Sequence, residues 1–207
     1  MGKCRPLSEK QQAAVEAELL RSKCPERNRT LFVLGVETGL RVSELLSVTV
    51  GDAVDVVGRV RDVLIIKKEN CKGKKLSRRI ALSPAARDAL FRAVNEAYTL
   101  GKSGRERHLF SPSYRLGPIS RFQAYDLISD AIKAAGITHT RGTHTMRKTR
   151  ALRVGLFAHR MVAEGKTNIL PICAVRDALG HGDIKTTQLY LESGNEEVNE
   201  WTAKGLI

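Results

Sequence analysis

Paired cysteines, aromatic side chains and long apolar runs are absent or scarce in this chain, and each shortage excludes a class of protein. The four cysteines, Cys4, Cys24, Cys71 and Cys173, lie far apart. None forms a C-x-x-C pair, so neither a zinc site nor a dithiol redox motif is signalled, and scattered reduced thiols are expected. Aromatic residues make up only 5% of the chain, which argues against base stacking on an aromatic platform as the main binding mode. No apolar run approaches the roughly 18 residues that a membrane span needs. The opening Met1-Gly2-Lys3-Cys4-Arg5-Pro6 leads into a polar helix, not into an apolar signal segment.

What is present is basic charge on a chain able to form a core. Hydrophobic residues account for 42% of the 207 positions and charged residues for 28%. The formal net charge is +13 and the pI about 9.9. Lys and Arg neutralise phosphates, so a basic domain of this size points to DNA or RNA, although a basic surface can also meet an acidic protein. The expectation is a soluble cytoplasmic protein, associated with the nucleoid. Charge alone does not say what is done to the nucleic acid.

The chain reads as mostly α (α+β), with one small sheet on an edge. Ser8-Glu9-Lys10-Gln11 is a capping box that opens a helix to Ser22, which Cys24-Pro25 breaks. A second helix is predicted from Asn28 to Thr38, apolar enough to be buried. Gly39 permits a tight turn, and Arg41 begins a short third helix. Val54–Val60, Val63–Ile66 and Arg78–Leu82 are short β-branched runs, which predict a three-stranded antiparallel sheet with a basic hairpin tip. Helices then follow at 84–100, 119–135, 144–159, 169–179 and 184–192, with a last one at 195–203. No repeat or low-complexity segment interrupts them.

Four places, far apart in sequence, fit one reaction. In Thr38-Gly39-Leu40-Arg41-Val42-Ser43-Glu44-Leu45, an Arg stands at a helix start, where backbone N–H groups also favour an anion. In His144-Thr145-Met146-Arg147, the i, i+3 spacing puts imidazole and guanidinium on one helix face. In Leu179-Gly180-His181, a His follows a glycine able to end a helix. Tyr190 comes nine residues later. Singly, each has an ordinary reading: a solvated Arg, a structural His, a half-buried Tyr. Their order and spacing together outweigh those readings.

With these motifs the chain resembles the tyrosine recombinase (phage integrase) family over residues 8–192. The resemblance implies the helical catalytic fold of that family, no cofactor, and a mechanism without metal or nucleotide. Tyr190 would attack a phosphodiester of duplex DNA, leaving a 3′-phosphotyrosyl link and a free 5′-hydroxyl. A second 5′-hydroxyl would then attack that link. The residue types suit this chemistry. Arg41 and Arg147 can hold the non-bridging oxygens bidentately and stay charged. Tyr190 is mostly protonated at neutral pH, so His144 is the candidate to accept or relay its proton. His181 would donate to a phosphate oxygen.

The family takes the leaving-group proton from a lysine on a β-hairpin, and the tip offers Lys72, Lys74 and Lys75. Lys72-Gly73 best matches the family's Lys-Gly turn, but counting back from Ile80-Ala81-Leu82 lands on Gly73. A one-residue insertion selects Lys72; without it Lys74 is the candidate. The lysines not used for catalysis would contact phosphates. Glu44 either orients a catalytic group or forms a plain i, i+3 ion pair. Arg121 and Gln123, early in the helix at 119–135, are candidate major-groove readers, or part of an exposed amphipathic face.

Two departures from the family pattern stand out. Residues 1–207 read as a single catalytic domain, with no separate N-terminal core-binding domain in view. The stretch from Arg147 to His181 is longer than in Xer-type members, with extra residues around 161–168 that read as a loop and a helical extension. A homotetramer on DNA is implied, with the tail after Tyr190 docking on a neighbour or packing on its own domain. Two other functions fit the same residues: a type IB topoisomerase-like relaxing enzyme, and a catalytically inactive DNA-binding module.

Overall fold

The computed structural model describes residues 4–71, 73, 76–101, 104–112, 117–181 and 187. The chain divides into two compact units, with the boundary between Arg150 and Ala151. The first unit holds α1 (Glu9–Leu20), α2 (Pro25–Thr38), α3 (Val42–Leu46), α4 (Val50–Ala53), β1 (Val63–Ile66), β2 (Arg78–Ala81), α5 (Pro84–Thr99) and α6 (Arg121–Ala134). Helix α7 (His144–Ala163) begins in the first unit and ends in the second, where α8 (Pro171–Leu179) follows. No described helix is long and apolar enough to cross a membrane.

In the first unit α2 is the central helix. Leu31, Phe32, Val33, Leu34 and Val36 are all buried, so the helix is covered on every side by α1, α3 and α5. Each such side chain contributes roughly 1.5–3 kcal/mol relative to exposure. Helix α1 starts at the predicted capping box: Gln11 N–H donates to Ser8 Oγ, and Ser8 N–H donates to Gln11 Oε1. Pro25 opens α2 instead of merely ending α1, because proline suits the first helical position. The amides of Glu26 and Arg27, left free by that start, donate to the carboxylate of Glu96 on α5 at 3.1 and 2.9 Å.

The sheet has two antiparallel strands among the described residues, with Val63 opposite Ala81 and Ile66 opposite Arg78. The third expected strand, Val54–Val60, is not one. The Asp55 carboxylate accepts from the amides of Val57 and Arg59, and Gly58 takes a positive φ of 82°. The run therefore folds back on itself in a single Val54–Val60 bridge. The β-branched pattern is outweighed by turn chemistry.

The second unit has a small core of Ala151, Val154, Val175 and Leu179. Helix α7 continues past the predicted end at 159 to Ala163, and Gly165 (φ 66°) turns the chain. The helical extension expected near 161–168 is thus present. Gly180 (φ 63°) closes α8, with His181 N–H donating to Arg176 C=O at 3.0 Å. The helices expected at 184–192 and 195–203, and the tail, lie outside the described residues, except Thr187.

Candidate active site

Arg41, Glu44, His144 and Arg147 come together in the first unit. The turn between α2 and α3 starts the arrangement. Gly39 ends α2 in the left-handed conformation (φ 63°), which only glycine adopts without cost. Arg41 is the N-cap residue of α3. Its backbone N–H donates to Glu44 Oε2 at 2.8 Å, and its Nη1 donates to Glu44 Oε1 at 3.1 Å. Glu44 is only 1% exposed, whereas the Arg41 side chain is 26% exposed. The carboxylate holds the base of the guanidinium while leaving part of it open.

A second arginine reaches the same carboxylate. Arg78, at the start of β2, donates from Nη1 to Glu44 Oε2 at 3.2 Å. Sequence reading missed this residue. Its partner lies 34 positions away, and no local spacing marks such a pair. Glu44 is thus more than an i, i+3 ion pair: it is a buried junction between α3 and the sheet.

Helix α7 carries the other two groups. Arg147 is 2% exposed, and its Nη1 donates to the backbone carbonyl of Gly39. The guanidinium expected to share a helix face with His144 is buried against the very turn that leads to Arg41. Met146, next to it, fits under α2 because position 35 is glycine; a Cβ there would lie 2.5 Å from Met146 Sδ. The N-terminal segment straps the helix start from the other side. Arg5 N–H donates to Thr140 Oγ1 at 2.9 Å, and Leu7 N–H donates to Thr149 Oγ1 at 2.9 Å.

His144 occupies the first position of α7 and remains an exposed residue. Even so, protein atoms crowd its ring enough that desolvation is the largest cause holding its pKa below the ordinary histidine value. The positive charges of Arg147, Arg41 and Lys148 push in the same direction. That direction keeps the imidazole neutral, the form that can accept a proton. Gly142, two residues earlier, has a φ of 75°, and a Cβ there would overlap the ring of Tyr125 on α6.

Arg121, Phe122 and Gln123 are exposed at the start of α6. The amide oxygen of Gln123 accepts from Ser120 N–H at 2.8 Å in a capping box, so it already has a structural task. A cavity of about 420 Å³ lies between α6 and the starts of α3 and α7, lined by Val42, Arg121, Phe122, Tyr125, Asp126 and Thr143.

His181 belongs to the second unit. It is buried, and its Nδ1 lies 3.0 Å from the hydroxyl of Thr187, itself fully buried. The hydroxyl is one contact that orients the ring. Tyr190, Lys72, Lys74 and Lys75 lie outside the described residues. Gly73, beside them, has a positive φ of 84°.

Known proteins bear on the same arrangement. A family model described as the phage integrase family matches residues 7–197. Tyrosine recombinase XerD of Corynebacterium glutamicum is 29% identical over 174 residues, covering 84% of this chain and 51% of that protein. XerD of Oceanobacillus iheyensis is 31% identical over 174 residues, covering 83% and 52%. The chain thus spans about half the length of these curated relatives. Among solved structures, XerH site-specific recombinase bound to a palindromic difH substrate superposes with a TM-score of 0.67 at 20% identity, over 96% of this chain and 52% of that one. XerA recombinase gives 0.67 at 22% identity, over 96% and 64%. These likenesses establish the mostly helical fold with its small antiparallel sheet, and the family model, running through both units, establishes descent: this chain belongs to the phage integrase family.

Proposed function

We propose that the chain is the catalytic part of a site-specific DNA recombinase that cuts and rejoins duplex DNA through a 3′-phosphotyrosyl intermediate. One observation carries the reading. Two guanidiniums separated by more than a hundred residues, Arg41 and Arg147, meet beside an imidazole whose pKa is lowered first by desolvation and next by their charges.

In this reading the scissile phosphate sits on Arg41 and Arg147, whose forks neutralise the negative charge that grows on the non-bridging oxygens. The Tyr190 oxygen attacks phosphorus, and its proton passes to His144. The bond from phosphorus to the 5′-oxygen breaks, and that oxygen takes a proton from a hairpin lysine, with Lys72 favoured over Lys74. His181, oriented by Thr187, donates to a non-bridging oxygen. Lys75, Arg121 and the remaining hairpin lysine contact DNA, and Gln123 can still donate through its amide nitrogen. The reverse attack by another 5′-hydroxyl reseals the strand, so the reaction needs no external energy source.

The two units act as one catalytic domain in this reading, since the family model passes through both. The assembly is a homotetramer on DNA, working on the nucleoid in the cytoplasm. XerH bound to difH and lambda integrase bound to a core site are relatives in fold that have been solved on DNA.

The test is covalent trapping. The protein is incubated with a pool of randomised nicked duplexes, and adducts that survive denaturant are recovered and sequenced. A site-specific recombinase gives an adduct on a defined sequence, absent in Tyr190→Phe. Adducts on arbitrary sequences with plasmid relaxation indicate a topoisomerase-like enzyme, and binding without any adduct indicates an inactive module.

A further inference from the structure

Arg78 is outside the group of residues proposed to meet the phosphate, yet it reaches the carboxylate that holds Arg41. We propose that Arg78 is a positioning residue: acting through Glu44, it fixes the Arg41 guanidinium where that group meets the phosphate. This rests on the recombinase reading above.

The geometry is a closed chain of charged hydrogen bonds. Glu44 Oε1 takes the Arg41 Nη1 bond, and Oε2 is shared between the Arg41 backbone N–H and Arg78 Nη1. At 1% exposure the carboxylate has almost no water to fall back on, so its orientation depends on these donors. Removing Arg78 leaves Oε2 with a single neutral donor and frees the carboxylate to rotate. Arg41, tied to the other oxygen, rotates with it.

Charge balance gives Arg78 a second effect. A lone Glu44–Arg41 pair is neutral and attracts an anion weakly. Two guanidiniums around one carboxylate leave a net positive charge, so Arg41 keeps its pull on a phosphate. The surroundings preserve this field. Cys71 is buried beside the cluster, and its thiol pKa is raised first by desolvation and next by the charge of Glu44.

The location adds a further consequence. Cys71 and Arg78 flank residues 72–77, the stretch that contains all three candidate lysines. Arg78 ties one end of that stretch to the carboxylate that clasps Arg41, and Cys71 at the other end donates from Sγ to Ile66 C=O at 3.7 Å.

The experiment compares two substrates made on the trapped target sequence. One carries an ordinary phosphodiester at the cleaved position; the other carries a methylphosphonate, which lacks one anionic oxygen and needs less neutralisation. Single-turnover adduct formation is measured for wild type, Arg41→Ala, Arg78→Ala and Arg78→Lys. Arg78→Ala is expected to be about tenfold or more slower than wild type on the phosphodiester. On the methylphosphonate the deficit is expected to shrink to under about threefold, in parallel with Arg41→Ala. Arg78→Lys is expected to recover part of the rate.

If Arg78→Ala does not fold, Arg78→Met, which keeps the apolar stem and removes only the guanidinium, is read in the same way. An equal deficit on both substrates, or a folded variant with no deficit, overturns the proposal and leaves the recombinase reading intact. A wild-type protein that forms no adduct on any duplex overturns both.

Discussion

The guanidinium of Arg147 donates to the backbone carbonyl of Gly39, two residues before Arg41 in the chain. The helix that carries His144 is thereby tied to the turn that presents the other arginine. Because Arg147 is 2% exposed, the spacing of the two guanidiniums is a property of the folded core, to which this bond contributes.

Replacing Arg147 therefore has two effects. In Arg147→Ala the Gly39 carbonyl loses this partner, at a cost of about 1–3 kcal/mol for a buried polar group. Urea unfolding is expected to show that loss in the midpoint, and trapping is expected to show no adduct. Arg147→Lys keeps the charge but cannot serve the carbonyl and fork a phosphate together. Its adduct formation is expected to fall at least about a hundredfold, or roughly 2.7 kcal/mol. A lysine variant with wild-type rates would show that the fork is not needed.

The lowered pKa of His144 sets a pH dependence. The folded chain binds a proton there less readily than the unfolded chain, whose value is near 6.5. The stability that this contributes is complete above that value and is lost as pH falls through the lower folded one. The same neutral imidazole is the proposed base. The second-order rate of adduct formation, which reports free-enzyme pKa values, should have its acid limb below pH 6.5. His144→Gln should lower the rate and flatten that limb. A limb above 6.5 in the wild type would contradict the assignment.

Much of this site was legible in the sequence, for reasons that differ by residue. His144 and Arg147 share a face because helical spacing dictates it, and Gly39 and Gly180 end their helices in the left-handed conformation expected of them. The capping box at Ser8 and the proline start of α5 are local signals, and local signals survive folding. The rest depended on long-range contacts. The burial of Arg147 beneath Gly39, the Arg78–Glu44 bond and the pressure of Arg41 on His144 each join residues with no periodic relation. The missing third strand had a different cause. Asp55 and Gly58 form a turn inside a run whose β-branched residues pointed to a strand.

Gly142 offers a test of how finely the start of α7 is placed. Its φ of 75° disfavours any side chain, and a Cβ would also meet the Tyr125 ring. Gly142→Ala is expected to destabilise the chain by about 1–3 kcal/mol through backbone strain and overpacking. Combining it with Tyr125→Ala relieves the contact but not the strain. Partial recovery in thermal unfolding is therefore the expected result. Full recovery would mean that the backbone at Gly142 is unstrained.

Thr187 gives the second unit a hold on its histidine. Its hydroxyl lies 3.0 Å from His181 Nδ1, and both residues are buried, so the ring has little freedom to turn. A ring held at Nδ1 presents Nε2 in one direction, which is what donation to a phosphate oxygen requires. Thr187→Val keeps the shape of the side chain and removes only the hydroxyl. The expected cost to stability is about 0.5–1.5 kcal/mol. The expected cost to adduct formation is about tenfold, with Thr187→Ser close to wild type. The rate and the stability must separate for the argument to hold. If Thr187→Val loses stability but cleaves at the wild-type rate while His181→Ala does not, the hydroxyl supports the fold and leaves the orientation of the histidine to other contacts.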